Sequence, residues 1–299
     1  MNREDDKIVY YDRYRCELCE EAVMGEGAIR WAYQTLSGKI LSGFMFGNSI
    51  LSRLLGLYFD SSLSKRQIKK SIADLNIDPE EFQLPVDQYS SFNDFFTRRL
   101  KPEARPFDND DNKIASPADG RVLVYPDASS ESIISIKGMR DSVSNFTGGN
   151  CRDFENCSVA VIRLCPSDYH RYHYPCDGKT LDSGKISGLY HSVNPVALDS
   201  EENIFCRNKR EYALCENKKG KFIISEVGAF GVAGIIQTHK ENDFKKMDEK
   251  GYFKFGGSTV VLIFAKDAVT FSEDLVKYSS DGTETLIHVG DTIAEWSGK

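Results

Sequence analysis

The residues best suited to chemistry stand near the C-terminal end of the sequence, in Gly256-Gly257-Ser258-Thr259. They precede a continuous apolar run over residues 260–265, which predicts a strand. A glycine before a serine at a tight turn leaves the Gly257 carbonyl accessible and free to adopt conformations barred to other residues. The Ser258 hydroxyl could then attack that carbonyl, and an N-to-O acyl shift followed by elimination would cut the chain and leave an N-terminal pyruvoyl group. Taken alone, the tetrapeptide is more typical of an ordinary turn before a strand.

Two of the five histidines, His170 and His173, lie three residues apart in the tyrosine-rich segment 166–175. If Ser167 begins a helical turn, both imidazoles lie on one face. An unperturbed imidazole titrates near ~6.5, which suits general acid–base catalysis. A metal site is one alternative, although no third ligand is evident nearby and Arg171 would oppose a cation. Two histidines without any catalytic role are the other alternative.

Asp119 stands in the segment 116–120, just before a predicted strand. Asp-Gly is first of all a turn signal. A carboxylate fixed beside a strand can instead orient an imidazole, as in a Ser-His-Asp relay. Asp119, the two histidines and Ser258 therefore form a candidate constellation, to which we assign no metal ion.

Around this constellation the chain resembles the phosphatidylserine decarboxylase family over about residues 90–299. The matching segments occur in order and at plausible separations. Family members commonly have Leu or Val in place of Gly256, and Gly-Gly-Ser-Thr also falls within the family's range. The segments that carry the resemblance are Phe95-Phe96-Thr97-Arg98-Arg99-Leu100 with Arg105-Pro106, Ser116-Pro117-Ala118-Asp119-Gly120, Asp168-Tyr169-His170-Arg171-Tyr172-His173 with Pro175-Cys176-Asp177-Gly178, Ser192-Val193-Asn194-Pro195, Asn208-Lys209-Arg210-Glu211, Glu226-Val227-Gly228-Ala229 and Phe255-Gly256-Gly257-Ser258-Thr259.

The resemblance implies that this protein decarboxylates phosphatidylserine to phosphatidylethanolamine with a cofactor made from its own chain. It implies that Asp119 orients and supports His173, which removes the hydroxyl proton of Ser258. Autocleavage at Gly257–Ser258 would give a β chain, residues 1–257, and an α chain, residues 258–299, which together form an α/β heterodimer or a higher oligomer. Ser258 would become the pyruvoyl group that forms a Schiff base with the substrate amine. His170 or His173 would then protonate the carbanion that remains after carbon dioxide leaves.

Helical and strand patterns divide the sequence into two parts. Residues 1–85 look helical, whereas short strand-like segments and turns follow from about residue 114. No alternation of strands and helices appears, which disfavours a doubly wound sheet. We therefore expect an α+β protein in which a helical, membrane-associating region, 1–85, packs on an antiparallel β barrel or sandwich, the catalytic domain 86–299. The expected strands are 121–125, 132–136, 158–164, 221–227, 233–237, 259–265 and 283–289, and the expected helices begin at Ser64 and Ser91.

Charge is concentrated unevenly along the chain. Residues 27–70 contain seven basic residues and one acid, Asp60, inside a chain whose net charge is −7. The same stretch is rich in apolar and aromatic residues, as in helices that lie in a membrane interface. We expect it to contact an anionic membrane surface, with packing on the protein's own core as the alternative. No pattern points to nucleic acid.

The N-terminal residues and the cysteines bear on location. The first seven residues are polar and acidic, unlike a signal or transit peptide, and no apolar run is long enough to span a membrane. The eight cysteines favour a reducing compartment, and Cys16-x-x-Cys19 lacks the second ligand pair of a zinc site. We therefore expect a bacterial-type peripheral protein on the cytoplasmic face of the cell membrane.

Two other classes of function compete with this interpretation. A Ser-His-Asp hydrolase could use the same side chains, but its nucleophile usually lies in a Gly-x-Ser-x-Gly turn, and Val260 replaces the last glycine. A lipid-binding protein without catalytic activity would need only the basic apolar segment. Cleavage of the chain would separate both alternatives from the self-processing enzyme.

Overall fold

A computed structural model provides the structure of the protein. It describes residues 8–21, 27, 31, 35, 49–128, 143–149, 154, 157–189, 191–193, 195–200, 203–229, 234–256 and 258–298. The strand expected at 132–136, most of the segment 27–48 and Gly257 lie outside the described residues. Among those that are described, no helix is long and apolar enough to cross a bilayer.

The described residues form sixteen strands, most of them in the C-terminal two thirds of the chain. They are β1 (Val9–Asp12), β2 (Glu17–Glu20), β3 (Lys113–Ala115), β4 (Gly120–Ala128), β5 (Cys157–Leu164), β6 (Arg171–His173), β7 (Gly178–Ile186), β8 (Arg210–Glu216), β9 (Lys221–Gly228), β10 (Ile235–Gln237), β11 (Asp243–Phe244), β12 (Glu249–Phe253), β13 (Ser258–Phe264), β14 (Val269–Phe271), β15 (Glu284–Ile287) and β16 (Thr292–Trp296).

Helices are short and lie mainly before β3. The α-helices are Ser49–Asp60, Ile68–Asp74, Phe92–Phe96, Val143–Phe146, Pro195–Ser200, Ile204–Arg207 and Glu273–Ser280, and the 3-10 helices are Ser62–Gln67, Pro79–Glu81, Val86–Gln88 and Pro102–Ala104.

Ten of the strands form one mostly antiparallel sheet in the order β11-β7-β8-β9-β13-β5-β4-β15-β1-β2. Strands β10, β12 and β6 form a second sheet, and β14, β16 and β3 form a third. These sheets and helices confirm the α+β class. The large sheet ends at β11 and β2, so within the described part of the chain it is not closed into the expected barrel.

Strand β13 occupies the middle of the large sheet, between β5 and β9. Its residues contribute to two separate hydrophobic clusters: Val260 and Leu262 to one, Val261 and Ile263 to the other. Both faces of the strand are therefore covered, which explains why its sequence is a continuous apolar run instead of an alternating one. The strand predicted at 259–265 is confirmed and begins one residue earlier, at Ser258.

The first described segment is a hairpin, although residues 1–85 were expected to be helical. Strand β1 pairs with β2 in antiparallel fashion and with β15 in parallel fashion. Tyr10 and Tyr11 favour extended structure, and Tyr11 stacks on Tyr278 at 3.7 Å between ring centroids. The hairpin extends the large sheet, so the prediction of helix is wrong for residues 9–20.

The helices around residues 60–100 form a small aromatic core. Ser91 accepts a hydrogen bond from the Asp94 N–H and caps the helix Phe92–Phe96, as predicted. Ser64 is not a cap: it lies inside the 3-10 helix Ser62–Gln67, where its hydroxyl bonds the Phe59 and Ser61 carbonyls. This core places the helix Phe92–Phe96 directly against the turn that precedes β13.

Candidate active site

Ser258 is the first residue of β13 and is fully buried. It pairs with Leu164 of β5 on one side and with Gly228 of β9 on the other. Its Oγ atom has no hydrogen-bond partner among the described residues. A buried hydroxyl without a partner is costly in an ordinary core, so this one is available for chemistry.

The backbone before Ser258 shows why glycine is favoured at position 256. Gly256 has a φ of +145°, a region that side chains rarely adopt. The backbone N–H of Phe255 donates to Oδ1 of Asn93 at 2.8 Å. The aromatic ring of Phe255 lies 4.3 Å from the ring of Phe59, measured between centroids. The chain is therefore held on both sides of Gly257.

His170 is fully buried in the segment between β5 and β6. Its Nδ1 lies 2.9 Å from the Asp168 carbonyl oxygen, and its ring lies 3.8 Å from that of Phe96. Burial lowers the pKa of His170 to about 3, and the buried Arg98 guanidinium acts in the same direction. Arg98 donates to the same Asp168 carbonyl at 3.1 Å, which places a fixed cation next to this imidazole.

His173 is the last residue of β6. Its Nδ1 lies 2.9 Å from the Met247 carbonyl oxygen, and its ring stacks with Tyr169 at 5.9 Å. Burial lowers its pKa below the ordinary value of 6.5. The condition that would place both histidines on one face of a helical turn is not met, because Arg171–His173 is a strand that pairs with β12.

The two imidazoles share one protonation pattern. A carbonyl oxygen only accepts hydrogen bonds, so each Nδ1 must carry the proton that it donates. Each Nε2 then holds a lone pair, and neither Nε2 has a partner in the described structure. Because both rings are neutral near pH 7, each can act as a base.

Asp119 is buried at the turn before β4, and its carboxylate is fully engaged. It accepts from Nη2 of Arg105 at 2.7 Å and from Nε at 3.0 Å, and from the Val289 N–H at 2.7 Å. Burial alone would raise the pKa of Asp119, but the Arg105 guanidinium and the Val289 N–H hold it below its ordinary value. Gly120 is required here, since a Cβ atom would lie 2.5 Å from the Arg163 carbonyl oxygen.

Backbone hydrogen bonds connect the segments that carry the four candidates. The N–H of His173 donates to the Pro117 carbonyl at 2.8 Å, two residues before Asp119. The N–H of Phe253 donates to the His170 carbonyl at 2.9 Å, at the end of the strand that leads to Ser258. Among the described residues, no direct hydrogen bond joins the side chains of Asp119, His170, His173 and Ser258.

Three contributors to the site were not assigned a role from the sequence. Arg105 and Arg98 stand in segments that matched the family, and that match is the signal that could have drawn attention to them. The Met247 carbonyl is a backbone group and leaves no signal in the residue type. Within the part of the chain that the structure describes, no cluster of His, Cys, Asp and Glu is arranged to hold a metal ion.

A surface cavity of about 480 Å³ lies elsewhere, between the β7–β8 end of the sheet and the segment before β12. Its lining includes Cys176, Lys179, Glu216 and Lys246, and none of the four candidate residues. We therefore do not assign the reacting groups to this cavity.

A buried serine hydroxyl that follows a glycine turn, with two neutral imidazoles on the connected segments, defines a site for nucleophilic and base chemistry. The profile of the family described as phosphatidylserine decarboxylase matches residues 92–295. The phosphatidylserine decarboxylase proenzyme of Clostridium botulinum strain Langeland is 40% identical over 290 residues, which are 96% of this chain and 98% of that protein.

Other relatives give the same result. The proenzymes of the same name from Clostridium perfringens strain ATCC 13124 and from Fusobacterium nucleatum are 40% and 38% identical over 290 residues. These alignments cover 96% of this chain and 99% and 97% of the two relatives. The chain belongs to the phosphatidylserine decarboxylase family, which confirms both the family and the class of enzyme, a decarboxylase, predicted from the sequence.

Proposed function

We propose that this protein converts phosphatidylserine to phosphatidylethanolamine after it has cut its own chain at Gly257–Ser258. The observation that carries the proposal is the Ser258 hydroxyl, which is buried, has no partner among the described residues and lies at the start of a central strand directly after a glycine turn. Relatives that cover nearly the whole chain are named as proenzymes, which is consistent with a chain that matures by processing.

The cleavage uses groups that the chain itself supplies. The Nε2 lone pair of His173 accepts the hydroxyl proton of Ser258, and Oγ attacks the carbonyl carbon of Gly257. An ester forms as the peptide C–N bond breaks, and the protonated His173 gives its proton to the Ser258 nitrogen, which becomes a free amine. Loss of the Ser258 α-proton and of the Gly257 carboxylate then gives dehydroalanine. Water replaces its nitrogen, which leaves as ammonia, so the α chain begins with a pyruvoyl group and the β chain ends at Gly257.

The residues around Ser258 fit a pyruvoyl group at that position. A pyruvoyl carbonyl condenses with a primary amine and accepts the electron pair of the breaking bond to carbon dioxide. The buried surroundings of Ser258 limit the access of bulk water to this chemistry. His170 takes up a proton on Nε2 and returns it to the substrate carbon, while its Nδ1 remains hydrogen-bonded to the Asp168 carbonyl.

Asp119 supports His173 without a direct hydrogen bond. Its negative charge acts on the imidazole and favours the protonated form, although burial has the larger effect. Arg105 keeps Asp119 charged, and the Pro117–His173 backbone bond fixes the distance between the two segments. The role of Asp119 is therefore electrostatic support of the imidazolium that forms when His173 accepts the Ser258 proton.

Access to the lipid comes from the segment around residues 49–70. In the helix Ser49–Asp60, Leu54 and Leu57 are 58% and 67% exposed, and Leu63 beyond it is 70% exposed. The side chains of Lys65 and Lys69 are exposed on the following helices. Such a surface can insert leucines into a membrane interface while its lysines contact anionic headgroups. The enzyme then acts on the cytoplasmic face of the membrane, as an α/β heterodimer.

The C-terminal end of the helix Ser49–Asp60 contacts the residues just before the glycine turn. Phe59 contacts Phe255, and Asp60 pairs with Lys254 at 2.9 Å. A membrane that covers Leu54 and Leu57 would therefore lie close to the turn that precedes Ser258.

The test is conversion of phosphatidylserine to phosphatidylethanolamine in anionic vesicles by the purified full-length chain. Ser258→Ala removes the hydroxyl that becomes the cofactor and should abolish both cleavage and conversion. Thr259→Val is a matched control, because Thr259 is also fully buried and its hydroxyl also lacks a partner among the described residues. Conversion by Ser258→Ala, or equal loss in both variants, would contradict the proposal.

A further inference from the structure

The turn that precedes Ser258 is anchored by a side chain from a distant part of the sequence. After the turn, Ser258 is fixed between Leu164 and Gly228 in the sheet. Before the turn, the Phe255 N–H donates to Oδ1 of Asn93 at 2.8 Å. Asn93 thereby fixes the N–H of the last residue before the two glycines.

The orientation of the Asn93 amide is set by its second hydrogen bond. Nδ2 of Asn93 donates to the Asp60 carboxylate at 3.0 Å, so Oδ1 must face Phe255. Asp60 also accepts from Nζ of Lys254 at 2.9 Å. Asn93 is only 3% exposed, and water therefore cannot easily replace its bonds.

Aromatic packing fixes the same turn from another direction. The Phe255 ring lies 5.1 Å from each of the Phe92 and Phe96 rings, which flank Asn93 on its helix. Phe96 also contacts His170. One short helix thus touches both the turn before Ser258 and one of the two imidazoles.

We propose that Asn93 is a positioning residue for self-cleavage, an inference that rests on the cleavage proposed above. The acyl shift is intramolecular and gains no binding energy from a substrate, so its rate depends on how well Oγ of Ser258 is aligned with the Gly257 carbonyl. Misplacement by about 1 Å can cost ~10²-fold in rate. Asn93 prevents such misplacement by holding Phe255, and it takes no part in proton transfer.

The test measures cleavage of the full-length chain by pulse–chase in cell-free translation. Asn93→Leu removes both hydrogen bonds and should slow cleavage by about 10²-fold. The double variant Asn93→Asp/Asp60→Asn exchanges the donor and the acceptor. The carboxylate at position 93 then accepts from the Phe255 N–H and from the side-chain amide at position 60. It should restore cleavage to within about tenfold of wild type, which simple loss of packing would not explain.

A matched control is Asn217→Leu, which removes an asparagine that accepts from two backbone N–H groups in the β8–β9 hairpin loop. It should cleave at the wild-type rate. If Asn93→Leu does not fold, the double variant decides the question: cleavage supports the positioning role, and a folded but uncut double variant overturns it. Wild-type cleavage by Asn93→Leu overturns it as well.

Failure of this inference is distinguishable from failure of the proposed function. If the wild-type chain and Ser258→Ala both remain uncut, self-cleavage itself is wrong. If wild type is cut, Ser258→Ala is not, and Asn93→Leu is cut at the wild-type rate, only the role of Asn93 is wrong.

Discussion

At the scale of single residues, the environment of each imidazole defines its role. Both Nδ1 atoms donate to backbone carbonyls, so both Nε2 atoms are free, within the described structure, to accept a proton. If one histidine serves maturation and the other serves turnover, their substitution should have separable effects.

His173→Ala and Asp119→Ala should accumulate uncut chain, because Ser258 then lacks its base or the support of that base. Removal of a general base typically costs about 10²–10⁴-fold. His170→Ala should be cut at least in part yet convert phosphatidylserine poorly. Gel analysis of cleavage and a lipid assay per mole of cut chain separate the two effects. Fully active His170→Ala, or wild-type cleavage of His173→Ala, would refute the corresponding assignment.

The pH dependence of cleavage follows from the direction of the His173 pKa shift. His173 works as a base only when it is neutral, and burial lowers its pKa below 6.5. The cleavage rate should therefore be constant between about pH 7 and 8 and fall only in more acidic buffer. Time courses of newly made chain at several pH values measure the midpoint, and a midpoint at or above 6.5 would contradict this role.

The candidate residues could be proposed from the sequence, whereas most of the groups that contact them could not. Asp119, His170, His173 and Ser258 stand in recognisable segments, and their roles remain predictions. The Met247 carbonyl and the Val289 N–H belong to the backbone, so no residue type reveals them. The engagement of Asp119 by Arg105 depends on a turn geometry that only the folded chain creates.

At the scale of elements, the N-terminal hairpin contributes to a buried charge network. Glu21, directly after β2, pairs with Arg163 at 2.6 Å, and Arg163 pairs with Glu284. Arg121 joins the network through Glu21 at 3.5 Å and connects it to Asp168, which precedes His170 by two residues. The hairpin therefore supports the segment that carries one of the catalytic candidates.

Glu21→Ala should destabilise the protein by about 1–3 kcal/mol, because it leaves buried N–H donors of Arg163 without an acceptor, while Glu284 still balances the charge. Urea unfolding in the Ser258→Ala background, where the chain stays in one covalent state, measures the change. Glu17→Ala is the matched control, since Glu17 is an exposed residue of the same hairpin and should change stability by less than about 0.5 kcal/mol. Equal stability of the two variants would mean that Glu21 has no such role.

The local pattern of apolar and polar residues predicted β13 correctly but did not reveal β1 or β6. A short apolar run that follows a glycine turn is typical of a strand buried on both faces. In contrast, β1 pairs with β15, from the opposite end of the chain, and this pairing leaves no trace in local periodicity. A helical turn that began at Ser167 would have placed His170 and His173 on one face, but residues Arg171–His173 pair with β12 as a strand.

At the scale of the whole molecule, membrane attachment should depend on salt and on one basic surface. A variant with four reversed charges should co-sediment less with anionic vesicles, since each basic residue near such a surface contributes about 1 kcal/mol to binding. The reversed residues, all changed to Glu, are Lys65, Arg66, Lys69 and Lys70. Salt should weaken wild-type binding as well, because the Debye length falls from ~10 Å at 0.1 M to ~3 Å at 1 M.

The matched control reverses four exposed lysines elsewhere, Lys218, Lys221, Lys240 and Lys266. It changes the net charge equally and should retain more binding than the first variant. Equal loss in both would show that only net charge matters. Binding that is insensitive to salt and to both changes would leave apolar insertion alone.

The intact mass of the purified active protein shows whether the chain has cut itself. The uncut chain has a mass of 33.7 kDa over 299 residues, so cleavage at Gly257–Ser258 should give fragments of about 29 and about 5 kDa. Their masses should sum to that of the precursor plus one water minus one ammonia, and the small fragment should resist Edman sequencing because a pyruvoyl group has no amine. A fully active protein that consists only of the 33.7 kDa chain would contradict the account.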